Sequence, residues 1–321
     1  MKYLLYTLMA SLTVVVLMEA APQQQSPATP PGWAFPVADK VQPPREDPNT
    51  PVKVAGSSKS YTAKEVDDLM NPPDWFPNEH PAMPGVVGKG RADVRACDSC
   101  HLPNGMGHPE SAIVAGFTAS YIARELDEMK SGARRTGGIM DAIAKAMSDE
   151  EVRQTSEYFA SLKPFPYIKV VEAETVPKSY VAQGGMRLPL PSGGEEPLGH
   201  RIIVLPEDPE RIMARDTHGS GTIAYVPPGS LAKGKQLVMM GGPGKTVACT
   251  ACHGESLKGN SLGDVPRIAG LQPIYIFRQL YDIQHWTRGG DTVALMRAPV
   301  ANLSEDDMIA IAAYVGSLPP Q

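Results

Sequence analysis

Four cysteines occur in 321 residues, arranged as two pairs with two residues between the partners: Cys97 and Cys100 in CDSCH, Cys249 and Cys252 in CTACH. Thiols at that spacing support three chemistries. In an oxidising compartment they close disulfides. Taken together, four thiolates make a tetrahedral zinc site. With a histidine directly after the second cysteine they form C-x-x-C-H, the attachment signature of a c-type haem. His101 and His253 supply that histidine both times. In the haem reading each thiol adds to one vinyl group of the porphyrin, and the adjacent histidine lies against the iron. Two complete occurrences that use every cysteine favour haem over disulfide and over zinc.

The stretch before the second pair, GGPGKT (Gly241–Thr246), invites a different reading as a phosphate-binding loop. That loop, G-x-x-x-x-G-K-[ST], needs a glycine five residues before Gly244, where this chain has Met239. The stretch is a turn that ends a helix and feeds the attachment loop.

The two sites sit in a repeat. VAGFTASYIARELDEMK follows the first and IAGLQPIYIFRQLYDIQ the second. Both runs carry A-G, then Y-I in a helical stretch, and beyond each comes a methionine, Met140 and Met296. Seven residues after it comes [LM]-S-[DE], opening a final helix that ends at S-L. Ser148 with Glu151, and Ser304 with Asp307, are N-cap patterns for that helix. Met140 and Met296 thus hold equivalent places in the loop before it.

This motif set resembles the tandem dihaem class I cytochromes c of the bacterial periplasm, the c-four type, over roughly residues 93–162 and 233–319. The resemblance implies a mainly α fold of two class I cytochrome c domains in tandem and two covalently bound haems c. Cys97, Cys100 and His101 would hold the first and Cys249, Cys252 and His253 the second. Met140 and Met296 would be the sixth iron ligands opposite the histidines. A thioether there raises the reduction potential and completes the coordination shell, which favours electron transfer over oxygen or peroxide chemistry. The resemblance further implies that the Pro266 carbonyl accepts from Nδ1 of His253. Ala112 stands at that place in the first repeat, so the match is incomplete and the two potentials need not be equal. The family's face-to-face haem arrangement is put in question by the long segment between the domains.

The chain holds 15 methionines. Met106 lies too near His101 to reach the opposite haem face, Met129 reads as core filling, and Met147 is the apolar counterpart of Leu303. Met186, Met213, Met239 and Met240 have no repeat partner. His80, His108, His200, His218 and His285 lack repeat equivalents and read as surface residues, His108 and His285 being the first substitutes should a methionine fail. Arg134, Arg135, Arg288 and Arg297 flank the methionine segments and read equally as propionate partners and as solvated surface. Tyr121, Tyr275, Tyr158 and Tyr314 recur on helical faces as packing residues.

Thirty-two prolines and 30 glycines against six phenylalanines assign long stretches to loop or extended linker. A net charge of −5 gives no basic patch for nucleic acid. Residues 1–21 combine one lysine, an apolar run over 4–18 and small residues, the layout of a secretory signal. The run is short of the ~20 residues that span a bilayer, so the chain meets a membrane only if this segment is kept as an anchor. A Pro-rich extension over 22–90 follows, with Trp33, Phe35, Trp75 and Phe76 able to pack on the globular surface and a short helix starting near Thr62. The first cytochrome c domain covers 91–165, with a poor helix former, MPGVVGKGRADV, before Cys97. An interdomain segment over 166–228 carries two strand-like runs, HRIIVLP and GTIAYVP, that pair as a small antiparallel ribbon. The second cytochrome c domain covers 229–321, opening with a helix near 228–240 and closing with one over 304–317.

The function expected is periplasmic transfer of single electrons between redox-partner proteins, a dehydrogenase as donor and an oxidase or another cytochrome as acceptor. The chain is expected to be a carrier and not an enzyme, serving alone or as the cytochrome subunit of a dehydrogenase or oxidase chain. The alternative is a dihaem cytochrome c peroxidase, which needs one open sixth position. A haem-bearing sensor module is a third reading, and no regulatory domain is visible for it.

Overall fold

The structure is a computed structural model that describes residues 29–40, 47–219, 221–291 and 293–320. The signal-like segment over 1–21 lies outside the described residues, as do parts of the Pro-rich extension. In the extension, β1 (Pro51–Val52) pairs antiparallel with β2 (Tyr61–Thr62). Thr62 then caps α1 (Ala63–Val66) through a capping box with Glu65. The helix expected here stops after one turn. Asp68 Oδ1 takes the N–H groups of Met70 and Asn71, at 2.8 and 3.3 Å, and Pro72 and Pro73 forbid a continuation. Trp75 and Phe76 are buried with Val54 and Val66. Trp33 lies 4.5 Å from Phe277 and Phe35 5.7 Å from Tyr281, centroid to centroid.

The glycine-rich stretch before Cys97 gives only one turn, α2 (Gly85–Gly88). The attachment turn α3 (Asp98–His101) follows, then α4 (Ala119–Ser131), α5 (Ile139–Ala146) and α6 (Asp149–Ser161). Thr118 caps α4, which turns Tyr121, Ile122, Leu126 and Met129 inward before ending at left-handed Gly132. Ser148 and Glu151 open α6 through a capping box.

In the second helical unit α8 (Ser230–Met240) precedes the attachment turn α9 (Thr250–His253). It is followed by α10 (Pro273–Gln284), α11 (Ala294–Val300) and α12 (Glu305–Ser317), the last opened by a Ser304–Asp307 capping box. Here the first and last helices cross closely. A Cβ on Gly234 would lie 1.9 Å from the Ala310 carbonyl oxygen, so only glycine fits the crossing. Gly234→Ala is expected to push α8 off α12 at a cost of about 1–3 kcal/mol, seen as a lower urea midpoint with unchanged slope.

The middle of the chain is richer in structure than a ribbon. It runs β3 (Ile168–Glu172), β4 (Thr175–Pro177), β5 (Ser179–Val181), β6 (Arg187–Pro189), β7 (Glu195–Pro197), β8 (Ile203–Pro206), α7 (Pro209–Met213) and β9 (Thr222–Val226). The two runs singled out in the sequence, β8 and β9, do pair antiparallel, but β3 adds to β9 in parallel and makes a three-stranded sheet. β4 pairs with β7 and β5 with β6. Ile202, Val204, Ile212, Ala224 and Val226 join one apolar cluster with the cores of both helical units. The segment is therefore part of the core and not a tether.

The two helical units meet through repeat-equivalent residues. Arg134 and Arg288 form an isolated antiparallel bridge, supported by Arg135 N to Thr287 O at 2.9 Å and Gly289 N to Ala133 O at 2.7 Å. Their guanidinium groups converge on Glu125 and on its repeat equivalent Gln279. Arg134 bonds Glu125 closely and Gln279 at 3.0 Å, while Arg288 bonds Gln279 at 2.9 Å and Glu125 at 2.7 Å. Farther out, Arg124 faces Asp264 at 3.7 Å, and its counterpart Arg278 pairs with Glu110. Such reciprocal contacts define a pseudo-two-fold axis between the units. The inserted segment joins the apolar cluster that both units share.

Candidate functional site

Each attachment motif is one helical turn. The His101 N–H bonds to the Cys97 carbonyl and the His253 N–H to the Cys249 carbonyl, both at 2.9 Å. Three residues apart on such a turn, the two sulfurs of each pair share a face. All four thiols are free of disulfide bonds. Burial pushes the Cys97 thiol up to about 12 and the Cys249 thiol up to about 11, the reverse of the low-pKa thiols of dithiol oxidoreductases. Among the described residues no group of three or more His, Cys, Asp or Glu is placed to hold a metal ion, so the pairs do not converge as a zinc ribbon would require.

The histidines are held alike. Nδ1 of His101 donates to Ala112 O and Nδ1 of His253 to Pro266 O, each at 2.9 Å. The sequence difference between Ala112 and Pro266 therefore leaves the bond unchanged, because it uses a backbone carbonyl and not a side chain. Burial lowers both imidazole pKa values. A neutral ring with Nδ1 so engaged presents Nε2 as its donor atom.

At the first turn these groups border a cleft of ≈ 2630 Å³ that also touches Met140, Ile122, Leu126, Ile143 and Phe159. That far exceeds the ~300–1,000 Å³ of an ordinary small-molecule pocket. Two free thiols, an oriented imidazole, a thioether and an apolar lining fit a covalently bound haem. The second unit carries the same residue types, with Cys252 exposed and Met296 half-buried against the core.

Met140 and Met296 are not in loops. They sit in the short helices α5 and α11, each just before the final helix of its unit. Met129, Met147, Met186 and Met213 also border the cleft, but none of them has a methionine counterpart in the second repeat. Met106 is fully buried in the core.

The remaining histidines have other partners. His80 contacts Asp74 at 3.2 Å, His200 contacts Asp306 at 3.0 Å, and His218 stacks on Phe76 and bonds Glu79. His285 stacks on Tyr281 at 3.9 Å, its Nδ1 on the Tyr281 carbonyl. Nε2 of His108 accepts from Arg215 at 3.0 Å. Burial, aided by the Arg215 charge, drives the His108 pKa down to about 3.

Of the arginines, Arg134 and Arg288 are committed to the interface, Arg135 reaches the Trp286 carbonyl at 3.4 Å, and Arg297 lies 3.2 Å above the Trp286 ring. Tyr121 OH accepts from Arg288 at 3.1 Å and Tyr158 OH donates to Pro103 O at 2.7 Å. Sequence reasoning missed Glu125, Gln279 and Arg215. Glu125 and Gln279 could have been found from their matching places in the repeat, whereas Arg215 carries no local signal.

Residues 231–319 match the family described as Cytochrome c. Cytochrome c4 of Azotobacter vinelandii is 25% identical over 250 residues, covering 74% of this chain and 91% of its own. The thiosulfate dehydrogenase electron acceptor of Thiomonas intermedia (strain K12) is 23% identical over 242 residues, covering 74% of this chain and 85% of its own. A solved thiosulfate dehydrogenase from Marichromatium purpuratum superposes with a TM-score of 0.50 at 22% identity. That match covers 73% of this chain and 39% of the other, and it is a likeness of fold alone. With its attachment turn, the family match makes the second helical unit similar to a class I cytochrome c. Over about three-quarters of its length the chain is cytochrome c4-like. Among the described residues no helix is long and apolar enough to cross a membrane.

Proposed function

We propose that the chain holds two covalent haems c, one in each of the units 91–165 and 229–321, and passes single electrons between protein partners. It acts as a carrier and not as an enzyme. The observation that carries this reading is the duplicated donor set: free cysteines on one helical turn, an imidazole fixed through Nδ1 by a carbonyl at 2.9 Å, and a methionine in the short helix before the last, all found twice. When bound, haem supplies a one-electron iron couple. The chain's own residues tether it through Cys97, Cys100, Cys249 and Cys252 and ligate the metal through His101, His253, Met140 and Met296. At the first site Ile122, Leu126, Ile143 and Phe159 keep water from the cleft. The relatives named as cytochrome c4 and as an electron acceptor of thiosulfate dehydrogenase support this role. A dehydrogenase is the expected donor and an oxidase or second cytochrome the expected acceptor. The export-like N-terminus and the duplicated attachment motif support a periplasmic location. A dihaem peroxidase needs one sixth position without a protein ligand, and the two matched methionines argue against it.

The reading is tested by haem content. The purified chain is expected to carry two haems that survive denaturation and acidic organic extraction, counted by intact mass. One haem or none would refute it.

A further inference from the structure

The two attachment turns are built alike, yet the first receives a charged side chain that the second lacks among the described residues. Residues 214–218, just after α7 in the middle segment, are fixed over the first attachment turn at several points. Trp75 Nε1 donates to Ala214 O at 2.7 Å, Asn104 Nδ2 to Thr217 O at 3.1 Å, and His218 stacks on Phe76 at 3.6 Å. Between these ties Arg215 takes a left-handed backbone, φ 59°, a conformation that an arginine adopts only at a cost. Its guanidinium is thereby delivered to the carbonyl of Ser99, one of the two residues between Cys97 and Cys100. It also bonds Val66 O at 2.7 Å and His108 Nε2 at 3.0 Å, and it borders the same cleft as Cys97, Cys100 and His101.

Every one of those hydrogen-bond partners is neutral. Asp216 is engaged by Arg211 at 2.8 Å. Asp98 and Asp67 lie close enough to feel the Arg215 charge, but the Asp98 carboxylate is buried with no hydrogen-bond partner, so neither of its oxygens bonds the guanidinium. In the second unit Ala251 stands where Ser99 does in the first, and among the described residues no arginine bonds its carbonyl.

We infer that Arg215 is a positioning residue that sets the reduction potential of the first haem above the value its histidine and methionine alone would give. The reasoning is electrostatic. A haem held there would lose one positive charge on taking one electron from a donor protein. A fixed cation beside it favours the reduced state. At the effective dielectric of ~20 that suits buried sites, the effect is on the order of tenfold in the one-electron equilibrium, or ~59 mV. The left-handed backbone and the ties on either side keep the charge in place, and its partial burial weakens screening by salt.

This inference rests on the two-haem reading, and the experiment separates them. In the full chain, intact mass counts the haems, and a redox titration resolves two one-electron waves. The first haem's wave is the one altered by replacing Met140. Arg215→Gln keeps a donor for the Ser99 carbonyl without the charge and is expected to lower that wave by about tenfold, ~59 mV, leaving the other unmoved at low and high salt. Arg215→Met, a second neutral variant, must move it in the same direction, whereas Arg215→Lys must stay near the parent. An unmoved first wave in the neutral variants, an equal shift of both waves, or a Lys variant that falls as far as Gln would overturn the inference. Too few haems in the parent chain would instead overturn the function proposed above.

Discussion

Replacing Met140 by leucine is expected to halve the weak far-red sulfur-to-iron absorption of the oxidised protein, and Met296→Leu should remove the other half. Leucine nearly conserves the volume of methionine, so packing changes cost under about 1.5 kcal/mol, but it has no donor atom. The iron concerned loses a neutral thioether, its potential falls, and the reduced protein gains carbon monoxide binding at that haem alone. The double variant should lose the band entirely. Met129→Leu is the control, because Met129 borders the same cleft without being in the repeat-equivalent position. Should Met129→Leu lose half the band while Met140→Leu keeps all of it, the repeat alignment is wrong at the first haem.

The second large effect is expected at the interface. Among the described residues Glu125 is the one carboxylate that bonds both Arg134 and Arg288, and all three are buried. Glu125→Leu leaves two guanidinium groups together with only the Gln279 amide oxygen and the Tyr121 hydroxyl as acceptors. Breaking a buried ion pair from one side costs about 3–5 kcal/mol, measurable as a fall in the urea midpoint. Acid should reproduce part of this loss. Burial alone would raise the Glu125 pKa, but Arg288 and then Arg134 reverse that and hold it at about 2, below its ordinary 4.5. Because the folded value is depressed, the stabilisation is complete above pH 4.5 and drains as pH falls toward 2. A Glu125→Gln chain should show a flatter stability profile across that window, and an unchanged slope would remove Glu125 from the account.

What could be read in the sequence was local or periodic. The attachment turns follow from three fixed residues each, and the final helices from Ser148 and Ser304 with an acid three residues on. The matched methionines follow from the repeat, although it gave no hint that they ride on short helices. The middle segment was underestimated because β3 pairs with β9 across more than fifty residues, and no window of sequence registers such a pairing. Trp75 and Phe76 could be read as aromatics able to pack on the globular surface, but not against which residues. Their burial depends on residues far along the chain, since Trp75 is tied to the Ala214 carbonyl and Phe76 to the ring of His218. The role given to Arg215 depends on the same loop and had no signature of its own.

The loop over the first attachment turn also imposes an order in time. Cys97 and Cys100 are synthesised more than a hundred residues before Arg215, which closes on the carbonyl of Ser99 between them. Any group to be joined to those two thiols has its freest approach before that loop docks. At the second turn, where Cys252 is exposed and Cys249 half-buried, no arginine among the described residues closes on the carbonyl between them. Loading of the first site therefore has to precede the closing of a distant loop, a constraint that the second site does not share.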